Sequence, residues 1–399
     1  MIYNTKTRCD RDFAKGNKMS AHYTVIGAGL AGATAARLLA DSGNNVLVLE
    51  KLPHVGGSVY DEKDGSGVLV HRYGPHIFHT SDKEVYSFLR RFTEFNGYTH
   101  RVAAMIDGRY VPVPFNKNSI VKAFGSEKGA KMISEAEKLE TFPAVSVLTL
   151  IGSQSDLLKE LGEYVYKNIF LYYTTKQWGK APSEIDPATT ARVPVRFTDD
   201  DRYFTDCFQG LPSDGYTEMV KRMLESERIT VRLGVEAEVT IRDNRIFVSG
   251  RPVEGKLIYT GETDRLFGYR FGRLPYRTLD FEFETLNEDS YQPYATVNYT
   301  VSENFTRITE FKKMTLQKTD GVTSIMKEYS REFTGNEGEI PFYPVITDES
   351  REIYSEYLAL SRNIPGLMLA GRLADYKYYN MDAVVRRVMD VLSADTKGE

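Results

Sequence analysis

Cysteine, tryptophan and histidine are all scarce in this chain: two Cys, one Trp and six His among 399 residues. Cys9 and Cys207 stand outside any CxxC pair and cannot build a disulfide framework, so a reducing cytoplasm is the expected location. No apolar run approaches the roughly 18 residues that cross a bilayer. The opening MIYNTKTRCDRDFAKGNK is polar and basic without an apolar signal core, so no membrane association is expected. An excess of positive charge is also missing. With 51 Lys and Arg against 55 Asp and Glu, the net charge of -4 gives no general attraction to nucleic acid. With 31 Gly and 15 Pro, and neither repeat nor low-complexity tract, collagen-like and disordered classes are excluded. What is plentiful is tyrosine, 26 in all, a side chain that stacks rings while keeping a polar tip in a wet pocket.

At this length two or three domains are expected. The period starts near His22: HYTVIGAG reads as a buried strand, LAGATAARLLADSG as an alanine-rich helix ending at Gly43, and NNVLVLE as a second strand. RVAAMIDGRYVPVPFN alternates like a hairpin turning at Asp107-Gly108. From Lys117 to about Gln177 strand signals fade and helical spacing takes over. Short strand-like segments follow, including YRTLDFEFE, YATVNYTV and TSIMKEYSREF, before a last strand, loop and helix in GLMLAGRLADYKYYNMDAVVRRVMDVL.

Between the first strand and helix lies Gly27-Ala28-Gly29-Leu30-Ala31-Gly32, a GxGxxG, and Glu50 ends the next strand about 20 residues on. Gly27 permits the tight turn, Gly29 lets a pyrophosphate approach the amides of the helix N-terminus, and Gly32 lets helix and strand pack closely. Glu50 is placed to accept from a ribose hydroxyl. A bare turn would need no acid at that interval, so a dinucleotide is expected. Gly56-Gly57 in EKLPHVGGSVYDE continues in the manner of FAD-binding proteins, which favours FAD over a nicotinamide. His71, His76 and His79 in HRYGPHIFHT invite a metal reading, but Gly74-Pro75 breaks any helix that would align them and no Cys or carboxylate stands at a partnering interval. No metal is expected; a histidine beside a flavin fits better.

GPHIFHT, TKQWG, RVPVRF, YFTDCFQGLPSDGYT, LIYTG, YRFGRLPYRTLDF, FTRITEF, PFYPV and GRLADYKYYNMD occur together and in order. In these segments the chain resembles the bacterial UDP-galactopyranose mutases, from about His22 to Met389. The resemblance implies an α/β fold: a Rossmann-like FAD-binding domain with an inserted helical bundle and an antiparallel β-sheet domain. Boundaries follow as 20–98, 211–262 and 355–399 for the discontinuous FAD domain, 116–182 for the bundle, and 99–115, 183–210 and 263–354 for the sheet domain. A mobile loop is expected near 185–195 and a flexible tail over 1–19, with Met19 an alternative start. The implied reaction interconverts UDP-galactopyranose and UDP-galactofuranose through a covalent adduct of reduced flavin N5 with the anomeric carbon, with no net redox. FAD active when reduced, an external flavin reductant, a UDP-sugar substrate and a homodimer belong to the same expectation.

Residue by residue, Arg192 in ARVPVRF resembles the mobile-loop arginine that swings onto the diphosphate, and Arg307 in FTRITEF its fixed counterpart. His79 resembles the histidine under the flavin, and Arg277 an arginine near flavin and substrate. Substrate contacts fall on Tyr173 as the uracil-stacking ring, on Trp178 beside the substrate, on Tyr203, Tyr343 and Tyr378 as diphosphate partners, and on Asn380. The cofactor set is Gly27, Gly29, Leu30, Gly32, Glu50, Lys51, Gly56, Gly57, Ser58, His76, Arg372 and Met381. By contrast, Arg90, Arg91, Arg386 and Arg387 read as solvated helix faces.

Departures bear on specificity. Leu171-Tyr172 stands where Lys-Gly or Arg-Gly usually precedes the tyrosine, and Ser58 where asparagine is frequent. Relatives act on N-acetylated or 6-deoxy sugar nucleotides, so UDP-N-acetylgalactosamine and dTDP-fucose are alternative substrates; a histidine at His79 leans toward plain galactose. A flavin oxidase or dehydrogenase of the amine-oxidase type shares the glycine signature but gives an arginine pair for a diphosphate no purpose.

Overall fold

In the computed structural model the structure describes residues 22–179, 194–301 and 303–397. The tail over 1–19 and the expected loop near 185–195, except for its last two positions, lie outside them.

Five strands form an all-parallel sheet in the order Ile229–Arg232, Val46–Leu49, Tyr23–Ile26, Lys256–Tyr259, Leu367–Leu369. Their short apolar runs suit a sheet buried on both faces. Val25 and Val48 are paired and fully buried beside Ile258. The first helix, Leu30–Asp41, approaches closely because Ala33, Ala35 and Ala36 are fully buried on it. It shares one apolar core with Val384, Val385 and Val388 of the last helix, Met381–Lys397.

A seven-stranded sheet runs in the order Tyr343–Pro344, Tyr276–Leu286, Thr323–Glu332, Arg307–Glu310, Thr296–Tyr299, Val102–Ile106, Arg109–Val113. The hairpin forms where the alternation placed it, with Asp107 and Gly108 both at positive φ. All pairs are antiparallel but one: Thr296–Tyr299 runs parallel to Val102–Ile106. Those two strands come from segments far apart in the chain, so no tight turn dictates their direction.

Between the sheets in sequence come the helices Lys117–Phe124, Ser126–Ala136, Val147–Ile151 and Asp156–Val165. The strand signal is not wholly absent there, since Ala144–Val145 pairs with Val195–Arg196. Asp156–Val165 continues through a π-helical turn, Tyr166–Leu171, into the helix Tyr172–Trp178. Such turns concentrate at functional sites, because the extra residue re-aims the side chains that follow. Tyr173 is the second residue beyond this one.

Candidate active site

The glycine turn is shaped for a nucleotide, and each glycine has its own reason. A Cβ on Gly32 would sit 1.9 Å from the carbonyl oxygen of Gly27, so helix and strand could not close on any other residue. Gly27 has φ +102°, and Gly29 bridges Gly56 while the Cα of Gly29 lies 3.0 Å from where a Cβ of Gly57 would be. Glu50 is buried, and its two oxygens accept from the main-chain amides of Ala28 (2.7 Å) and Leu52 (2.8 Å). This fixes the carboxylate beside the turn, with a lone pair on each oxygen still available to a ribose hydroxyl. A backbone cradle without side chains and a fixed acid at its rim suit the adenosine and pyrophosphate of a dinucleotide. Leu30 opens the helix, Ser58 lies in the short 3-10 turn Gly57–Val59, and Lys51 is exposed.

The second centre is built by the large sheet. Arg307 and Glu328 are direct cross-strand partners, so their side chains share a face. Arg307 donates from Nε (3.0 Å) and Nη2 (2.8 Å) to the two oxygens of Glu328, a carboxylate that is wholly buried. Two strands along, Arg277 pairs with Tyr343 on one side and Glu332 on the other. The Arg277 guanidinium reaches Ser330 Oγ and the carbonyl of Lys176 at 3.3 Å, tying the sheet to the end of the helix that carries Tyr173. Lys176 closes the same link by donating to the carbonyl of Tyr299 at 2.7 Å.

Charge and burial knit the rest around Arg307. Burial opposes the guanidinium's charge, but Glu328 outweighs it, and Arg307 holds its proton more firmly than a free arginine. Tyr173 and Tyr343 are pushed upward first by burial and then by Glu328, with Arg307 pulling the other way. Tyr343 stacks on Tyr378 at 5.7 Å, and the Arg372 guanidinium lies over both rings. Arg372 also donates to the carbonyl of Phe342. His76 falls to about 3, through burial and then repulsion from His71, Arg372 and Arg307. His100 likewise falls to about 3, through burial, Arg307 and His79. His76 donates from Nδ1 to the carbonyl of Gly74 (2.8 Å), and its own amide donates to Nδ1 of buried His71 (3.1 Å). Tyr203 meets His100 edge-on at 5.6 Å.

Arg307, Tyr173, Tyr203, Tyr343, Tyr378, Arg372, His76 and His79 are therefore gathered around one charged centre, with Arg277 on the sheet beside it. Asn380 is exposed just before Met381, which opens the last helix. Arg192 and the Trp178 side chain lie outside the described residues; the Trp178 backbone ends its helix.

Several members were not singled out from sequence. Glu328, the acid behind Arg307, sits inside the strand-like TSIMKEYSREF, where it follows Lys327 and nothing local sets it apart from the other charges. Phe204 and Asp206 hold His79, by a ring stack at 3.6 Å and a hydrogen bond at 2.8 Å. Arg386 and Arg387 are not plain solvated faces. Arg387 grips buried Asp375, whose carboxylate accepts from the amide of Gly371, and Arg386 grips Asp82, the cap of helix Lys83–Leu89. Arg387 thereby pins the loop that carries Arg372, and Arg386 ties the last helix to helix Lys83–Leu89.

Residues 168–378 match the UDP-galactopyranose mutase family, and residues 25–92 match an NAD(P)-binding Rossmann-like domain. The chain belongs to the UDP-galactopyranose mutase family. It is 35% identical to dTDP-fucopyranose mutase of Escherichia coli, over 92% of this chain and 96% of the relative. It is 34% identical to the probable UDP-galactopyranose mutase of Klebsiella pneumoniae, over 92% of both chains. A crystal structure of reduced UDP-galactopyranose mutase superposes with TM-score 0.69 at 17% identity, over 96% of this chain and 95% of that one. Putrescine oxidase, at TM-score 0.53 and 13% identity, shares the fold over 95% of this chain and 99% of its own. As a member of a mutase family the protein is an isomerase and a flavoprotein on a Rossmann-like scaffold. No helix of the described residues is long and apolar enough to cross a membrane.

Proposed function

We propose that this mutase interconverts UDP-galactopyranose and UDP-galactofuranose with bound, reduced FAD. The observation that carries the reading is the guanidinium of Arg307, held on a buried carboxylate and ringed by tyrosines, in a centre joined to the dinucleotide cradle by Arg372, whose neighbour Gly371 packs against Ala31 of the glycine turn. A leaving diphosphate carries about two negative charges and is best met by a pre-set cation with hydroxyl donors around it.

Held by the glycine turn of Gly27, Gly29 and Gly57 with Glu50 at its rim, a reduced flavin would supply the nucleophilic chemistry that an isomerisation without net oxidation of the sugar requires. The chain's own residues do the rest. Glu328 holds Arg307 in one orientation, so no reorganisation is needed when charge develops. Tyr343 presents a phenol hydroxyl that burial keeps protonated and therefore able to donate, Tyr378 stacks beside it, Tyr173 offers a ring face for the base, and Arg372 backs the tyrosine pair. His76 and His100, neutral at physiological pH, add polarity without competing charge. In this reading Arg192 would add the second arginine. An external reductant is needed to prime the flavin, since an isomerisation supplies no electrons.

The relative at 35% identity gives dTDP-fucose a claim as an alternative substrate. The test is anaerobic incubation with UDP-galactofuranose, with and without dithionite, scored by chromatography. Conversion to the pyranose only after reduction is the expected result. Conversion of dTDP-fucofuranose alone would move the assignment to the 6-deoxy sugar, and substrate-driven flavin reduction would replace it with an oxidase.

A further inference from the structure

His79 lies in the short strand Phe78–Thr80, which pairs with Phe208–Gly210 so that Gln209 stands opposite His79. Its ring is flat against Phe204, with centroids 3.6 Å apart and planes 13° apart, and Phe204 also stacks on His100 at 5.7 Å. Nδ1 lies 2.8 Å from Oδ2 of Asp206. The other Asp206 oxygen accepts from Ser81 Oγ at 3.1 Å, and Gln209 Nε2 reaches the carbonyls of both Phe204 and Asp206 at 3.4 Å. The Gln209 oxygen in turn accepts from the amide of His100 at 3.3 Å. Each carboxylate oxygen thus has its own partner, and Gln209 holds the backbone that carries Asp206, unlike a surface ion pair free to sample rotamers.

An ionised carboxylate only accepts, so the proton between these groups belongs to Nδ1 of His79. In the neutral ring the lone pair is then on Nε2. Among the described residues Nε2 has no hydrogen-bond partner, although the side chain is only 11% exposed. We propose that Asp206 is a positioning residue that fixes His79 as the Nδ1–H tautomer, clamped on Phe204, so that Nε2 is presented as a hydrogen-bond acceptor toward the ligands of the pocket. The consequence for turnover rests on the mutase reading; the tautomer does not. In the proposed function ground-state binding of UDP is assigned to Arg307 and the tyrosines, so Asp206 would act on the chemical step through the orientation of one ring.

The test uses the FAD-loaded full chain with 15N-labelled histidine, reading the His79 ring nitrogens by long-range 15N–1H correlation and turnover in parallel. The wild type is expected to show Nδ1–H. Asp206→Ala is expected to give mixed tautomers and a kcat about 10²-fold lower, the scale of a misplaced reacting group, with the affinity for UDP within about 2-fold. Asp206→Asn, whose amide oxygen still accepts, is expected to restore the tautomer and most of kcat. If the alanine variant does not fold, Asp206→Leu, similar in volume but without an acceptor, carries the same expectation. An Nε2–H tautomer in the wild type, an unchanged tautomer in the alanine or leucine variant, or an unchanged kcat there overturns the proposal. Nδ1–H without turnover of either furanose would sink the mutase reading and leave the tautomer assignment standing.

Discussion

Arg307 and Glu328 cannot be varied independently, and that determines how their roles are measured. Removing the guanidinium strands a wholly buried carboxylate, a change that costs about 3 kcal/mol or more of stability. Arg307→Ala is therefore expected to lose both activity and thermal stability, whereas Arg307→Met with Glu328→Gln is expected to regain most of the stability and none of the activity. Melting curves beside turnover, which should fall by about 10²-fold or more, decide it; activity retained by the double variant would remove Arg307 from the chemistry. The arginine was readable from its motif. Its acid was not, because the two are 21 positions apart and meet only through strand register. Asp206 and His79, 127 positions apart, were hidden for the same reason.

At the scale of elements, the glycine turn is the most legible part because its causes are local: a strand, a tight turn, a helix and an acid all lie between Tyr23 and Glu50. Gly32→Ala places a methyl group on the Gly27 carbonyl and must part helix from strand. Loss of yellow colour on purification and a lower melting temperature are expected. Retention of stoichiometric flavin, by absorbance, would show that the cradle is not where the cofactor sits. The π-helical turn before Tyr173 was illegible, since its sequence carries the same apolar spacing as the helix around it. The parallel pairing of Thr296–Tyr299 with Val102–Ile106 was equally hidden, being set by tertiary packing rather than by any turn.

For the whole molecule, buried neutral histidines predict acid sensitivity. His71 and His100 are buried, each lowered by burial to about 3, against about 6.5 in an unfolded chain. Between those values the unfolded state binds more protons than the native one, so stability is complete above about pH 6.5 and declines as pH falls toward 3. Each contributes a slope of up to about 1.4 kcal/mol per pH unit within that window. Melting temperature is expected to drop steeply between pH 6.5 and 5, and His71→Asn to flatten the slope; a pH-independent melt over that range would contradict it. Fold class was legible at this scale because the βαβ period and the later alternating strands are spread along the chain. The merging of distant motifs into one face of the large sheet was not, since nothing in a strand's own residues names its neighbours.

The carboxylate behind Arg307 has a kinetic meaning as well as a structural one. Glu328 takes the Nε hydrogen and one on Nη2, so the two hydrogens of Nη1 and the second of Nη2 would be left for an incoming anion, which would share the cation with a resident acid. A reversible isomerase needs its leaving group kept close and then handed back to the same carbon. On the proposed reaction, a guanidinium already half satisfied stabilises departing UDP without trapping it, and the free energy of the departed state stays level with that of the sugar nucleotide on either side.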